Sequence, residues 1–202
     1  MIGIIDYDAG NIKSVEKALR FLGQEVVVSR DPDRLLCADR VILPGVGSFG
    51  DAMKKLHTFG LVEVIRECVS RGTPFLGICL GLQLLFESSE ESPGVEGLHI
   101  LDGRIVRIPD AGGLKVPHIG WNSLSFPREG QLFKGVGGEG AFVYFVHSYY
   151  LRAAEEQVVT ATAEYGVQMH VSVEKDNVFA CQFHPEKSSD VGMRILRNFI
   201  EV

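Results

Sequence analysis

Apolar residues along the first half of the chain alternate between two spacings. Ile2 to Asp6 is an apolar run of strand length. Ile12, Val15, Leu19 and Leu22 then recur at helical spacing, with Asn11 placed to cap that helix and Gly23 to stop it. Glu25 to Ser29 predicts a second strand, Asp31-Pro32 a turn, and Arg40 to Leu43 a third strand. The loop Pro44-Gly-Val-Gly-Ser-Phe-Gly50 leads into a helical stretch in which Ser48 and Asp51 have capping-box spacing. A further helix runs from about Leu61 to Arg71 and ends at Gly72, and Pro74 to Ile78 is the strand after it. Strands alternating with helices imply βαβ units. The predicted fold is therefore α/β, with a mostly parallel central sheet and helices on both faces.

The pattern changes after Glu87. Ser88 to Gly94 reads as a polar loop. Shorter strand-like pieces follow near Gly103 to Ile108, Ala141 to Leu151, Val158 to Tyr165, His170 to Glu174 and Val178 to Phe183. Turn residues punctuate them, which predicts hairpins and a mixed or antiparallel β extension. Val191 to Ile200 predicts a closing helix that buries Ile195, Leu196 and Phe199. No repeat, low-complexity tract or linker interrupts the pattern, so residues 1–202 are expected to form a single domain.

The stretch Gly77-Ile-Cys79-Leu-Gly81 lies where the strand spacing gives way to the helical one. A glycine two residues either side of a cysteine, between strand and helix, is the thiol version of the nucleophile elbow G-x-S-x-G. Such a turn is too tight for side chains at the flanking positions. It lifts the sulfur off the backbone and aims it at a helix N-terminus, whose partial positive charge favours the reactive thiolate. A buried, inert cysteine in a glycine-rich turn fits the local pattern equally well. The remainder of the chain has to separate the two.

A cysteine nucleophile needs a base and a group that orients the base. Gln182-Phe-His-Pro-Glu186 follows the strand-like run Val178 to Phe183 and offers both: His184 to take the thiol proton, Glu186 to hold the imidazole. A solvated turn is the alternative, weakened by the apolar strand leading into it. The other histidines are weaker candidates, since His57 and His99 sit in polar surroundings, His118 adjoins Pro117, His170 begins a short strand, and His147 has no acidic neighbour. An oxyanion hole needs backbone N–H groups. Leu80, directly after the cysteine, supplies one, and the loop Gly45-Val46-Gly47 opens at the same sheet edge to supply another. The same loop, Gly45 to Gly50, also matches G-x-G-x-x-G and so allows a nucleotide-binding module. Against that stand its place after the third predicted strand and the lack of an acidic residue at the end of the next one.

Bulk properties narrow the classes further. With 202 residues, 46% hydrophobic and 23% charged, the chain has the makings of an ordinary globular core. A net charge of −6 offers no footprint for nucleic acid or an anionic membrane. The longest apolar run, Pro74 to Phe86, is broken by Gly77, Gly81 and Gln83 and is too short to span a bilayer. Four scattered cysteines, Cys37, Cys68, Cys79 and Cys181, contain no C-x-x-C pair, so neither a metal site nor a disulfide framework is expected. The opening residues read as a strand, so no targeting segment is expected, and a reducing, cytoplasmic setting is expected with it.

Gly77-Ile-Cys-Leu-Gly-Leu-Gln83 together with His184-Pro-Glu186 resembles the class I (triad) glutamine amidotransferases over nearly the whole chain. Pro44-Gly-Val-Gly47, Pro117-His-Ile-Gly-Trp-Asn122, Phe145-Val-His-Ser-Tyr149 and the opening Asp6-Tyr-Asp-Ala-Gly-Asn11 resemble the glutaminase subunits of imidazole glycerol phosphate synthases within that class. Glutaminase subunits for pyridoxal phosphate or anthranilate synthesis are the neighbouring alternative. Asp8 departs from the family's usual small residue. The resemblance implies a flavodoxin-like fold, no cofactor, and L-glutamine as substrate. It implies Cys79, His184 and Glu186 as the catalytic set, Val46, Gly47 and Leu80 as the oxyanion hole, and Gly47, Gln83, Ser148 and Tyr149 around the glutamine. A satisfied polar group in an apolar helix is the other reading of Gln83. The implied partner is a (β/α)8-barrel cyclase, bound as a heterodimer and fed with ammonia. Asn11, His118, Trp121, Asn122 and Lys187 are then expected at that interface, although a lone tryptophan is by itself as readily core.

Overall fold

The computed structural model describes residues 1–110, 113–137 and 140–202. Its first half is a wound βα unit: β1 (Ile2–Ile5), α1 (Ile12–Phe21), β2 (Val26–Ser29), α2 (Pro32–Leu36), β3 (Arg40–Leu43), α3 (Phe49–Thr58), α4 (Leu61–Ser70), β4 (Phe75–Ile78) and α5 (Leu80–Leu84). The second half holds β5 (Ser88–Ser89), β6 (Gly103–Arg107), β7 (His118–Ser123), β8 (Phe142–His147), β9 (Tyr149–Ala153), β10 (Val159–Glu164), β11 (Gln168–Lys175), β12 (Val178–Cys181) and α6 (Ser189–Glu201).

One large sheet runs in the order β2-β1-β3-β4-β12-β11-β9-β6-β5, with β10 paired to β11. From β2 to β12 every pairing is parallel, and beyond β12 the sheet turns antiparallel until the last short parallel pair, β6 with β5. The expected α/β architecture is the observed one. Both faces are covered. Ile2, Ile4, Ile42, Leu76 and Ile78 join Val15, Leu19, Ile195, Leu196 and Phe199 of α1 and α6 in one core. Ile5, Val41, Leu43 and Phe75 join Leu35, Phe49, Leu56, Leu61 and Ile65 of α2, α3 and α4 in the other. This double burial is why the parallel strands read as unbroken apolar runs rather than as alternation. Among the described residues, no helix is long and apolar enough to cross a membrane.

Four departures from the sequence expectation have local causes. Asp31-Pro32 is not a free turn but the start of α2: the Asp31 carboxylate accepts the Asp33 N–H, and Pro32 occupies the first helical position, where its missing N–H costs nothing. Ser88-Ser89, expected within a loop, pairs in parallel with Arg104-Ile105. The run Ala141 to Leu151 is two strands in two sheets. β8 pairs only with β7 in a separate ribbon, whereas β9 lies between β11 and β6, and the chain changes sheet at Ser148. β7 itself, His118 to Ser123, is not predicted as a strand because Gly120 and Asn122 dilute its β propensity.

Candidate active site

β4 and β12 are neighbours in the parallel half, with Ile78 in register with Cys181. The residues that follow them therefore leave the sheet at the same carboxyl edge, and Cys79 and His184 meet there. Cys79 has φ 56° and ψ −109°, a backbone conformation strained for any residue but glycine. The Cys79 N–H donates to the Cys181 carbonyl at 2.8 Å, which pins the turn to β12. Both flanking glycines are sterically required. A Cβ on Gly81 would lie 1.8 Å from the Leu43 carbonyl oxygen, and one on Gly77 would lie 2.7 Å from that of Gly81. The packing that forces the elbow is thus backbone against backbone. The helix behind it, α5, is only five residues long, so its dipole is a smaller influence on the sulfur than expected.

His184 is almost fully buried. Its Nδ1–H donates to Glu186 Oε1 at 2.7 Å, and Asn11 Nδ2 donates to the same oxygen at 2.6 Å. Asn11 sits at the N-cap of α1 with φ 72°, but its side chain makes no cap hydrogen bond; it turns to Glu186 instead. With Nδ1 committed, Nε2 is the nitrogen left for Cys79. Among the described residues it is buried without an aligned hydrogen-bond partner, as is Glu186 Oε2. Burial alone drives the imidazole toward its neutral form. Cys79 and Glu186 outweigh that and hold its pKa at about 9. Nε2, on the face of the ring turned away from Glu186, is the nitrogen placed to exchange a proton with the Cys79 sulfur.

Cys79 opens onto a cavity of about 290 Å³, bordered by Val46, Gly47, Leu80, Gln83, Ser148 and Tyr149 among others. Every residue expected at the oxyanion hole or around the substrate therefore lines it. The Leu80 N–H, however, points at the Gly45 carbonyl at 3.3 Å, so the loop itself occupies the donor that an oxyanion would need. Gly47, at φ 112°, gives that loop a hinge, and the space on its side-chain face is open to 4 Å. Gln83 is buried, and its Nε2 donates to the Tyr149 carbonyl at 3.2 Å and to Gln182 Oε1 at 3.0 Å.

Glu91 also lines the cavity and is not predicted there, because it lies in a stretch that reads as plain polar loop. Its Oε2 accepts the Phe49 N–H at 2.7 Å, while Ser92 Oγ accepts the Gly50 N–H at 3.0 Å. These side chains, with Ser48 on Asp51, fill the start of α3 that a nucleotide phosphate would require. The G-x-G-x-x-G reading fails on that point. A larger cavity, about 930 Å³ around Phe126, Gln131, Lys134, Glu174 and Phe179, includes none of the triad.

The residues expected at a partner surface divide. Trp121 is 51% exposed and meets Tyr144 edge-on at 6.1 Å, so it is not a core residue. Lys187 is exposed, and Asn11 and Asn122 are half-buried. His118 is corrected: it is 3% exposed, stacked between Phe145 and Tyr165 at 4.9 and 4.0 Å. Strand alternation explains the split, since 118, 120 and 122 face inward while Ile119 and Trp121 face out. Ile119, exposed beside Trp121, escapes a sequence reading that does not recognise the segment as a strand.

Comparison with known proteins points one way. A model of the family described as glutamine amidotransferase class-I matches residues 3–202. The chain is similar to the imidazole glycerol phosphate synthase subunit HisH of Moorella thermoacetica, 55% identical over 201 residues, covering 100% of this chain and 94% of that one. It is 50% identical to the subunit of the same name from Methanothermobacter thermautotrophicus, covering 100% and 98%. A crystal structure of a glutamine amidotransferase superposes with a TM-score of 0.77 at 25% identity, covering 99% of this chain and 97% of the other.

Proposed function

The chain belongs to the class I glutamine amidotransferases, and from that premise we propose that it is the glutaminase subunit of an imidazole glycerol phosphate synthase. Its reaction is hydrolysis of L-glutamine to L-glutamate and ammonia, the ammonia passing to a (β/α)8-barrel cyclase in a heterodimer. The observation that carries the chemistry is the buried Cys79–His184–Glu186 set opening on a cavity of about 290 Å³.

The Cys79 thiolate attacks the side-chain carbonyl carbon of glutamine, and the electron pair moves to oxygen. The oxyanion is held by the Leu80 N–H once Gly45 releases it, with a second donor from Val46-Gly47. As the tetrahedral adduct collapses, imidazolium His184 gives its proton to the departing nitrogen and ammonia leaves, forming a thioester. His184 then takes a proton from water, which attacks the thioester and releases glutamate. The Glu91 carboxylate suits the substrate's α-ammonium, and Gln83, Ser148 and Tyr149 border the rest. The closed Leu80–Gly45 contact supports a resting state with little turnover until the partner docks. Exposed Ile119 and Trp121, with Lys187 and Asn11 on the same side as the triad, are the surface proposed for that docking. The four free cysteines support a cytoplasmic setting.

The test is to mix the chain with the barrel cyclase and its ribonucleotide substrate and measure glutamate release. Strong stimulation is expected. Cys79→Ala should abolish glutamate release while cyclisation driven by added ammonium salt persists. No stimulation, or stimulation only by a pyridoxal phosphate or anthranilate synthase partner, overturns the assignment to this synthase.

A further inference from the structure

One backbone carbonyl, that of Tyr149 at the start of β9, sets the direction of every side-chain hydrogen bond behind the cysteine. A carbonyl oxygen only accepts, so both groups that meet it must donate. These are Gln83 Nε2 at 3.2 Å and His147 Nδ1 at 2.8 Å. The first contact orients the Gln83 amide. The same Gln83 nitrogen lies 3.0 Å from Gln182, which must therefore present its oxygen there. The Gln182 nitrogen is then left facing Cys79 Sγ at 3.7 Å. The second contact fixes the His147 tautomer. Nε2 of that ring accepts from His118 Nδ1 at 3.0 Å, and His118 Nε2 accepts from Asn122 Nδ2 at 3.5 Å. Asn122 closes the chain by also donating to the Glu164 carbonyl at 2.9 Å.

From this we propose that Gln182 is a positioning residue for the Cys79 sulfur, its donor nitrogen held on Sγ by Gln83, which the Tyr149 carbonyl orients. Gln182 is 0% exposed, and its backbone N–H is fixed to Val171 at 2.8 Å, so the side chain has no solvent to turn toward. Among the described residues it is the one side chain that donates a hydrogen bond to Sγ. A neutral amide is well suited to this task. It stabilises the anion without adding a second charge that would compete with the His184 imidazolium. Reversing the amide would set Oε1 against the thiolate and Nε2 against the Gln83 nitrogen, two unfavourable contacts for one flip. The order in the chain is thus maintained from Tyr149 outward in both directions.

This inference rests on Cys79 being the nucleophile, but not on what it attacks. The experiment reads the thiol directly: the rate of iodoacetamide alkylation at the Cys79 peptide as a function of pH, without glutamine or cyclase. Gln182→Met keeps the length and removes the donor. Its alkylation midpoint is expected to move up by about one pH unit, with about tenfold slower labelling at neutral pH and a circular dichroism spectrum like that of the parent. A buried amide that merely fills space would leave the midpoint where it was, and that result overturns the proposal. Should Gln182→Met not fold, Gln182→Glu has the same shape and sets a carboxylate against the sulfur; it must raise the midpoint further, and an unchanged midpoint is again fatal. His118→Phe keeps the stack between Phe145 and Tyr165 and alters only the other arm from the Tyr149 carbonyl. Its Cys79 profile is expected to stay that of the wild type, and a shift as large as that of Gln182→Met would overturn the assignment of the effect to Gln182. Failure of the glutaminase assignment would show in the cyclase assay and leave these profiles unaffected.

Discussion

Three histidines are buried in this part of the molecule, one of them, His147, lining the cavity below Cys79, and they behave in opposite ways. His184 is 1% exposed, His118 3% and His147 6%, so burial does not distinguish them. Their partners do. His184 faces Cys79 and Glu186, both able to carry negative charge, and its pKa stands at about 9 against the pull of burial. His147 has the Tyr149 carbonyl and another imidazole as neighbours, and burial takes it down to about 3. His118, between two aromatic rings, is held at about 4 by burial. One environment keeps a proton on the ring and leaves Nε2 unpaired, as the proposed proton transfer requires. The other forbids a proton and uses both ring nitrogens as fixed hydrogen-bonding groups. The lesson is that a buried imidazole becomes an acid–base group through an anionic partner, and a structural one through neutral partners.

The sharpest way to break this contrast is to remove the anion. Glu186→Gln keeps the shape and a hydrogen-bond acceptor for His184 but deletes the charge. Cyclase-stimulated glutamate release is expected to fall by roughly four orders of magnitude, and the alkaline limb of the pH profile, expected near 9 in the wild type from the His184 pKa, to move down. A loss of only a few-fold with the limb unmoved would mean that Glu186 does not set the state of His184.

Stability against pH separates the same groups by sign. The His184 pKa is raised above its unfolded value of 6.5, so its contribution is fully present below that pH and is lost as pH rises through about 9. His118 and His147 are depressed, so the unfolded chain takes up protons that the folded one refuses, and stability declines as pH falls below 6.5 toward about 4 and 3. Thermal melts across the range are expected to show both shoulders. In His118→Phe the acid decline should become shallower while the alkaline one stays. A variant that flattens the alkaline side instead would invert the assignment.

The parts of this site that belong to one short segment are legible in the sequence. The elbow is written in Gly77, Cys79 and Gly81: the Gly77 clash comes from Gly81 backbone within the turn itself, and the Gly81 clash from Leu43 on β3, the strand beside β4. His184 and Glu186 are two residues apart and carry their own geometry. What is not legible depends on distant pairing. Gln83 and Gln182 meet across 99 residues, and nothing local marks either amide as part of a directed chain. β7 lacks a β-branched run, so its alternation is hidden, and with it both the burial of His118 and the exposure of Ile119. The division of Ala141 to Leu151 into two sheets at Ser148 is likewise a tertiary choice, since both halves have strand composition. Glu91 looks like any loop carboxylate until α3 is packed beside it.

The smallest expected effect concerns Asn11, which two readings claim. The sequence resemblance assigns it to the partner surface, while its side chain donates to Glu186 Oε1 at 2.6 Å. Among the described residues Glu186 Oε2 has no partner, so this carboxylate depends on Asn11 and His184 for its hydrogen bonds. His184 stays on Oε1 when Asn11 is removed, so Asn11→Ala should cost about 1.5–3 kcal/mol of stability, the usual worth of one hydrogen bond to a charged group. It should also lower stimulated glutamate release by about tenfold or less. Asn11 also fixes where the Glu186 carboxylate sits against His184, so without it the alkaline limb should move down, by less than in Glu186→Gln. Affinity for the cyclase, measured in parallel, divides the roles. If Asn11→Ala weakens binding and leaves the limb where the wild type has it, Asn11 serves the interface and Glu186 holds His184 without it. If the limb moves and binding is retained, the residue belongs with His184 and Glu186 as the group that holds the carboxylate on the imidazole.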